Sequence, residues 1–211
     1  MAGVLAVAHR TPASGAACRE LARLGVAVFE VDVQLVRGEV VVSHFLPLVR
    51  GYAGLRRDRW SLSRTARAEP LAAVLARLPP GAGVLADLKT ETPAAARAAA
   101  AAIAAAPARW YASCKRWELL EPLAEAGART WRSVATRRAL AAVLRAPADP
   151  RPVTVRHTYL DRPTVSRLRA ITGEVTAWTV NDVRRAAQLA ALGVTGLVSD
   201  DPQVHAYAAG R

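Results

Sequence analysis

At 211 residues with two cysteines, the chain is sized for one domain spanning 1–211 and can bury roughly 70% of its unfolded surface without disulfide staples. Its formal charge is +12, but of 29 basic residues only Lys89 and Lys115 are lysine, and the arginines lie scattered among alanines with no aromatic interleaving. That pattern argues against a nucleic-acid groove, and no apolar run reaches the length of a membrane span.

In chain order, the first apolar run, 4–8, ends in His9-Arg10. It is strand-long and lacks a basic flank, so no signal peptide is expected and a cytoplasmic protein with free Cys18 and Cys114 is. A helix is predicted over 14–24 and a strand over 26–35. Arg37-Gly38 then makes a turn that lets Val40–Ser43 pair back as a short hairpin arm ending in His44. The stretch 45–69 carries two glycines, many arginines and no clean period, and is read as a loop across the top of the fold. Beyond it, helices at 70–78, 93–106, 116–126, 136–145, 162–171, 182–192 and 202–208 alternate with strands at 84–88, 109–114, 128–134, 152–157, 174–180 and 195–199. Pro70 fits the first turn of its helix, and Pro79-Pro80-Gly81 stops it. Thr92-Pro93 starts the next, Asn181-Asp182 can cap the seventh, Gly193 can end that one, and Asp201-Pro202 opens the last. Eight strand–helix units with short connections predict a small, closed (β/α)8 TIM barrel with a hairpin and loop insertion after strand 2.

The most informative segment is Val28-Phe29-Glu30-Val31-Asp32-Val33-Gln34. Side chains two apart on a strand leave the same face, so Glu30 and Asp32 point together within an apolar run. Two close carboxylates repel, and burying one unpaired is costly. The strand therefore demands a counter-charge, either a metal ion or an Arg or Lys such as Arg10 or Lys89. Strand 3 ends similarly in Asp87-Leu88-Lys89. Three carboxylates without a thiolate or imidazole cluster form a hard-oxygen donor set, which favours Mg²⁺ or Ca²⁺ over Zn²⁺. His9 and His44 both end apolar strands beside acids. Trp178 is placed at the end of strand 7, as barrel filling or as a wall facing the mouth. His157, Ser113, Arg132 and Arg156 end strands and are candidates for the pocket lining, whereas His205 is expected at the surface.

These residues together resemble the glycerophosphodiester phosphodiesterases over nearly the whole chain. His9-Arg10 stands at the family's His-Arg-Gly, and Glu30-Val31-Asp32-Val33 at its Glu-x-Asp-Val. His44 stands at the hairpin histidine and Asp87-Leu88-Lys89 at Glu-x-Lys. Trp178-Thr179-Val180-Asn181 is identical to the family's strand 7, and Gly193 to Pro202 follows its last strand. Thr11, Phe45 and Asp87 depart from the pattern, standing where the family has Gly, Asp and Glu. The resemblance implies metal-dependent hydrolysis of a small-molecule glycerophosphodiester to glycerol 3-phosphate and an alcohol. It implies a metal on Glu30, Asp32 and Asp87, phosphate contacts from Arg10 and Lys89, acid–base work by His9 and His44, and a substrate contact from Trp178. Two other readings remain open: a catalytically impaired phosphate- or metabolite-binding barrel, and a phospholipase C- or D-like phosphodiesterase. The absence of an amphipathic docking helix argues against the latter.

Overall fold

The computed structural model describes residues 3–44, 46–48, 53–56, 61–63, 68–89, 91–145 and 149–210. In chain order the elements are β1 (Leu5–Ala8), α1 (Gly15–Arg23), β2 (Val28–Val36), β3 (Glu39–Val42), β4 (Leu46–Leu48), β5 (Ala53–Arg56), β6 (Ser61–Ser63), β7 (Glu69–Pro70), α2 (Leu71–Leu75), β8 (Gly83–Leu88), α3 (Pro93–Ala105) and β9 (Arg109–Cys114). A 3-10 turn (Trp117–Leu120), α4 (Glu121–Glu125), β10 (Arg129–Val134), α5 (Arg137–Arg145) and β11 (Val153–Arg156) follow. A second 3-10 turn (His157–Tyr159), α6 (Arg162–Thr172), β12 (Val175–Trp178), α7 (Val183–Ala191), β13 (Gly196–Ser199) and α8 (Pro202–Ala209) complete the chain.

Eight strands pair in parallel in the order β1-β2-β8-β9-β10-β11-β12-β13, and β1 pairs with β13 to close the ring. This is the expected small TIM barrel. Each strand feeds a helix of the outer layer, as parallel pairing requires. Local chemistry sets the helix starts. Ser14, Thr92, Asp161, Asp182 and Asp201 each accept a backbone N–H of the helix that follows, which satisfies donors the first turn leaves open. The cap of α7 is Asp182, not Asn181, whose side chain is engaged elsewhere. At the hairpin after β2, Arg37 and Gly38 both carry positive φ, the backbone a two-residue turn needs to match strand twist.

The predicted loop over 45–69 is only partly a loop. Where described, it holds β4, β5 and β6, a small antiparallel sheet pairing within itself, and β7, which extends the hairpin arm. Short irregular strands separated by Gly and Arg carry too little periodicity to announce themselves. Phe45 lies outside the described residues.

Alternation along the strands divides the core. Val7, Val28, Leu85, Tyr111, Trp131 and Val198 fill the barrel interior, with the Tyr111 and Trp131 rings 5.1 Å apart. Two larger apolar layers lie between strands and helices. Gly196 permits close packing inside the ring, because a Cβ there would stand 2.8 Å from Thr176 Oγ1. The apolar plug fills the barrel below its C-terminal end, where Glu30, Asp32 and Asp87 gather. No helix among the described residues is long and apolar enough to cross a membrane.

Candidate active site

The site begins where β1 ends. Arg10 adopts φ +58°, a left-handed conformation that costs a non-glycine residue roughly 1–2 kcal/mol. Its N–H donates to Glu30 Oε2 at 2.7 Å, and Thr11 clamps the Glu30 carbonyl through both its N–H (2.8 Å) and Oγ1 (2.9 Å). The turn therefore depends on Glu30 for its shape. Positive φ falls on Arg10 and not on Thr11, so the missing glycine at position 11 leaves no strained backbone.

Parallel pairing of β2 with β8 sets Asp32 opposite Asp87. Ligand oxygens of Glu30, Asp32 and Asp87 all lie within 4.8 Å of one another. The counter-charge expected from the sequence is present: Lys89 Nζ contacts Asp87 and stands 2.8 Å from Asp32 Oδ1, and Arg10 Nε is 3.9 Å from Asp32 Oδ2. Ser113 Oγ donates to Asp87 Oδ1 at 2.7 Å and fixes that carboxylate. Shortening Glu to Asp at position 87 thus leaves the acid within the cluster. Burial and the neighbouring Asp32 push the Glu30 carboxyl well above its ordinary range. Asp32 is just as buried, but the Lys89 ammonium and the hydrogen bonds from His44 and Lys89 outweigh burial and hold it far below the carboxylate range. The Lys89 ammonium is stabilised in turn by Asp87, Asp32 and Glu30 against its own burial. The three acids fit a hard divalent cation: every donor is a carboxylate oxygen, and one from each residue lies within 4.8 Å of the others.

The hairpin delivers His44. Val33 faces Val42, and Ser43 N–H donates to the Asp32 carbonyl at 2.8 Å, so the next residue lands beside the acids. His44 Nδ1 is 2.7 Å from Asp32 Oδ2. An ionised carboxylate only accepts, so Nδ1 carries the proton and Nε2 holds the lone pair. Arg10 Nη2 lies 2.9 Å from that Nε2.

His9 is held from the other side. Its Nδ1 is 2.8 Å from Asp200 Oδ1, and Asn181 Nδ2 donates to Asp200 Oδ2 at 2.9 Å. Asn181 Oδ1 accepts from Asp200 N–H (2.9 Å) and Ser199 Oγ (3.1 Å), which locks strands β12 and β13 together at the mouth. Asp200 again fixes the Nδ1–H tautomer, leaving the Nε2 lone pair of His9 unbound by this chain of contacts. Burial lowers the His9 pKa, and Asp200 only partly opposes it. Asp200 and Asn181 were not among the expected site residues. The available signal was the adjacent pair Asp200-Asp201, of which a helix cap needs only one.

Opposite the acids, Arg156 and Trp178 pair in register at the ends of β11 and β12, with the guanidinium 5.4 Å from the indole centroid. Trp178 also packs on the interior apolar cluster, so it fills the barrel while standing at its mouth. Other candidates fall elsewhere. Arg132 does not line the pocket: Trp131 points into the barrel, so Arg132 points outward, 1% exposed, to Asp149 and the face of Trp117. His157 forms a 3-10 turn whose carbonyl accepts from Arg185. His205 is buried, not at the surface, with Nε2 3.0 Å from the Ser199 carbonyl. Cys18 and Cys114 are free and buried, and burial pushes the Cys114 thiol up to about 12.

No protein-family model matches the chain, and no curated protein sequence does either. Solved structures do match. An Oleispira antarctica phosphodiesterase, determined with its product sn-glycerol-3-phosphate, superposes with TM-score 0.73 at 18% identity, covering 99% of this chain and 98% of that one. A Thermotoga maritima glycerophosphodiester phosphodiesterase gives 0.72 at 18%, covering 97% of each. One from Parabacteroides distasonis gives 0.66 at 16%, covering 99% and 98%. At such identities the likeness is one of fold: this chain shares the closed barrel of these enzymes from end to end.

Proposed function

We propose that this chain, acting as one unit over 1–211, hydrolyses a water-soluble glycerophosphodiester to glycerol 3-phosphate and an alcohol, in the cytoplasm and with Mg²⁺ or Ca²⁺. The observation that carries this reading is the convergence of Glu30, Asp32 and Asp87 with two carboxylate-oriented imidazoles at one barrel mouth. The barrel of an enzyme caught with sn-glycerol-3-phosphate supports it.

Glu30, Asp32 and Asp87 would hold the cation, which supplies Lewis acidity toward a phosphoryl oxygen and neutralises its charge. Arg10 and Lys89 bind the remaining anionic oxygens. Arg10 now rests on His44 Nε2, and engaging phosphate draws it off that lone pair. One imidazole takes the proton of the attacking hydroxyl at Nε2. The other delivers a proton to the departing alkoxide. When the neighbouring glycerol hydroxyl attacks, a cyclic phosphate forms and the alcohol leaves. Water then opens the ring, with the imidazoles exchanging roles. Asp32 and Asp200 keep both rings in the tautomer that presents Nε2. Trp178 walls the substrate on the far side.

The test is a panel of glycerophosphodiesters incubated with Mg²⁺, Ca²⁺ or chelator, with glycerol 3-phosphate measured enzymatically. Metal-dependent release supports the reading. Tight binding without release in any metal would instead favour a binding barrel that has lost turnover.

A further inference from the structure

The mouth carries a feature that the reaction does not require. In the closed ring β11 stands directly across from β2, and β12 directly across from β8. The acids and phosphate-binding cations lie on one wall, and Arg156 with Trp178 on the other. A diester whose phosphoryl group sits at the acids faces Arg156 and Trp178 across the mouth. Arg156 is exposed, lies over the Trp178 ring, and has no carboxylate partner among the described residues.

A bare indole at a site mouth would welcome a cationic alcohol through its π face. Here the face is covered by a tethered guanidinium, which stacks on indole well and cannot lose its charge. A quaternary or primary ammonium would have to displace Arg156 and then sit beside it, like charge against like. An alcohol bearing its own anion meets instead a guanidinium that no carboxylate among the described residues engages. Building on the phosphodiesterase reading above, we propose that Arg156, seated on Trp178, selects diesters whose alcohol carries negative charge and rejects those with cationic alcohols.

Three probes that share the glycerol phosphate half test this: glycerophosphoinositol 4-phosphate (anionic), glycerophosphoglycerol (neutral) and glycerophosphocholine (cationic). For the wild type, kcat/KM should fall about five- to tenfold at each step from anionic to cationic. In Arg156→Gln the anionic-to-cationic ratio should shrink to within about twofold; taking the ratio within each protein cancels any general loss. Equal or inverted preference in the wild type, or an unchanged ratio in Arg156→Gln, would overturn the proposal. Calorimetric binding of the same three probes to His44→Gln reads the preference without turnover. Failure of the wild type to hydrolyse any probe would overturn the phosphodiesterase reading. The order of Kd values still decides the role of Arg156, with equal or undetectable binding counting against it.

Discussion

Asp200 hydrogen-bonds neither the three acids nor Arg10 and Lys89, yet under the proposed reaction its removal should slow turnover through His9. The contact it makes, 2.8 Å from Nδ1, is of a charge-assisted kind normally worth about 1.5–3 kcal/mol. The Asp200 side chain is 50% exposed, so solvent screening brings its contribution to the low end, about 1–2 kcal/mol. Lost from the transition state, that is roughly a 5- to 30-fold fall in kcat/KM for Asp200→Ala. The pH profile separates this from a structural effect. Burial already lowers the His9 pKa and Asp200 opposes the shift, so removing Asp200 lowers it further. Whether His9 acts as base or acid, the limb of the profile that belongs to it moves toward lower pH. Asp200→Asn keeps an acceptor without its charge and should fall between the two. Steady-state kinetics from pH 5 to 9, with melting temperatures for each variant, are the assay. A kcat/KM within twofold of wild type and unmoved limbs would refute the positioning role.

His44→Gln should lower kcat by roughly 10²–10⁴ while the folded chain keeps its melting temperature, measured by calorimetry alongside turnover. Arg132→Met breaks a buried cation's contacts with Asp149 and the carbonyls of residues 149 and 151. Because Asp149 keeps Arg151, the cost should be about 2–3 kcal/mol, a melting point lower by roughly 5–10 °C, with KM unchanged. For His205, burial depresses the folded-state pKa below 6.5, while the unfolded chain titrates at the ordinary value. The unfolded state therefore binds the proton first, and stability falls as pH drops below about 6.5. Denaturant unfolding at several pH values should show a shallower acid loss in His205→Gln than in wild type.

The barrel was legible because each strand announces itself as a short apolar run bounded by a cap or a turn, and the runs recur with one helix between them. Glu30, Asp32, Asp87 and His44 were legible because strand parity places acids on one face and a hairpin of fixed register returns the histidine to them. Parity also explains a miss. Arg132 lies two residues before the end of β10, whereas Arg156 ends β11, but Trp131 claims the interior, and only the large side chain's packing decides which of two neighbours points inward. Asn181-Asp182 and Asp200-Asp201 each offer two residues of cap chemistry where one is needed, and sequence alone does not show that the spare ones, Asn181 and Asp200, meet across two strands to hold His9. His205 lies on a helix with apolar residues on several faces, so its periodicity carries no inward direction. Among the described residues the small sheet of β4 to β6 pairs within itself, and no hydrophobic period marks it.

Mn²⁺ binding followed by electron paramagnetic resonance tests the central claim most directly, because it asks whether the three acids share one cation, independent of any substrate. The wild type should bind a single Mn²⁺, displaceable by Mg²⁺ or Ca²⁺, and Asp87→Ala should weaken that binding at least tenfold. A wild type that takes up no ion, or an Asp87→Ala variant that binds as tightly, would contradict it.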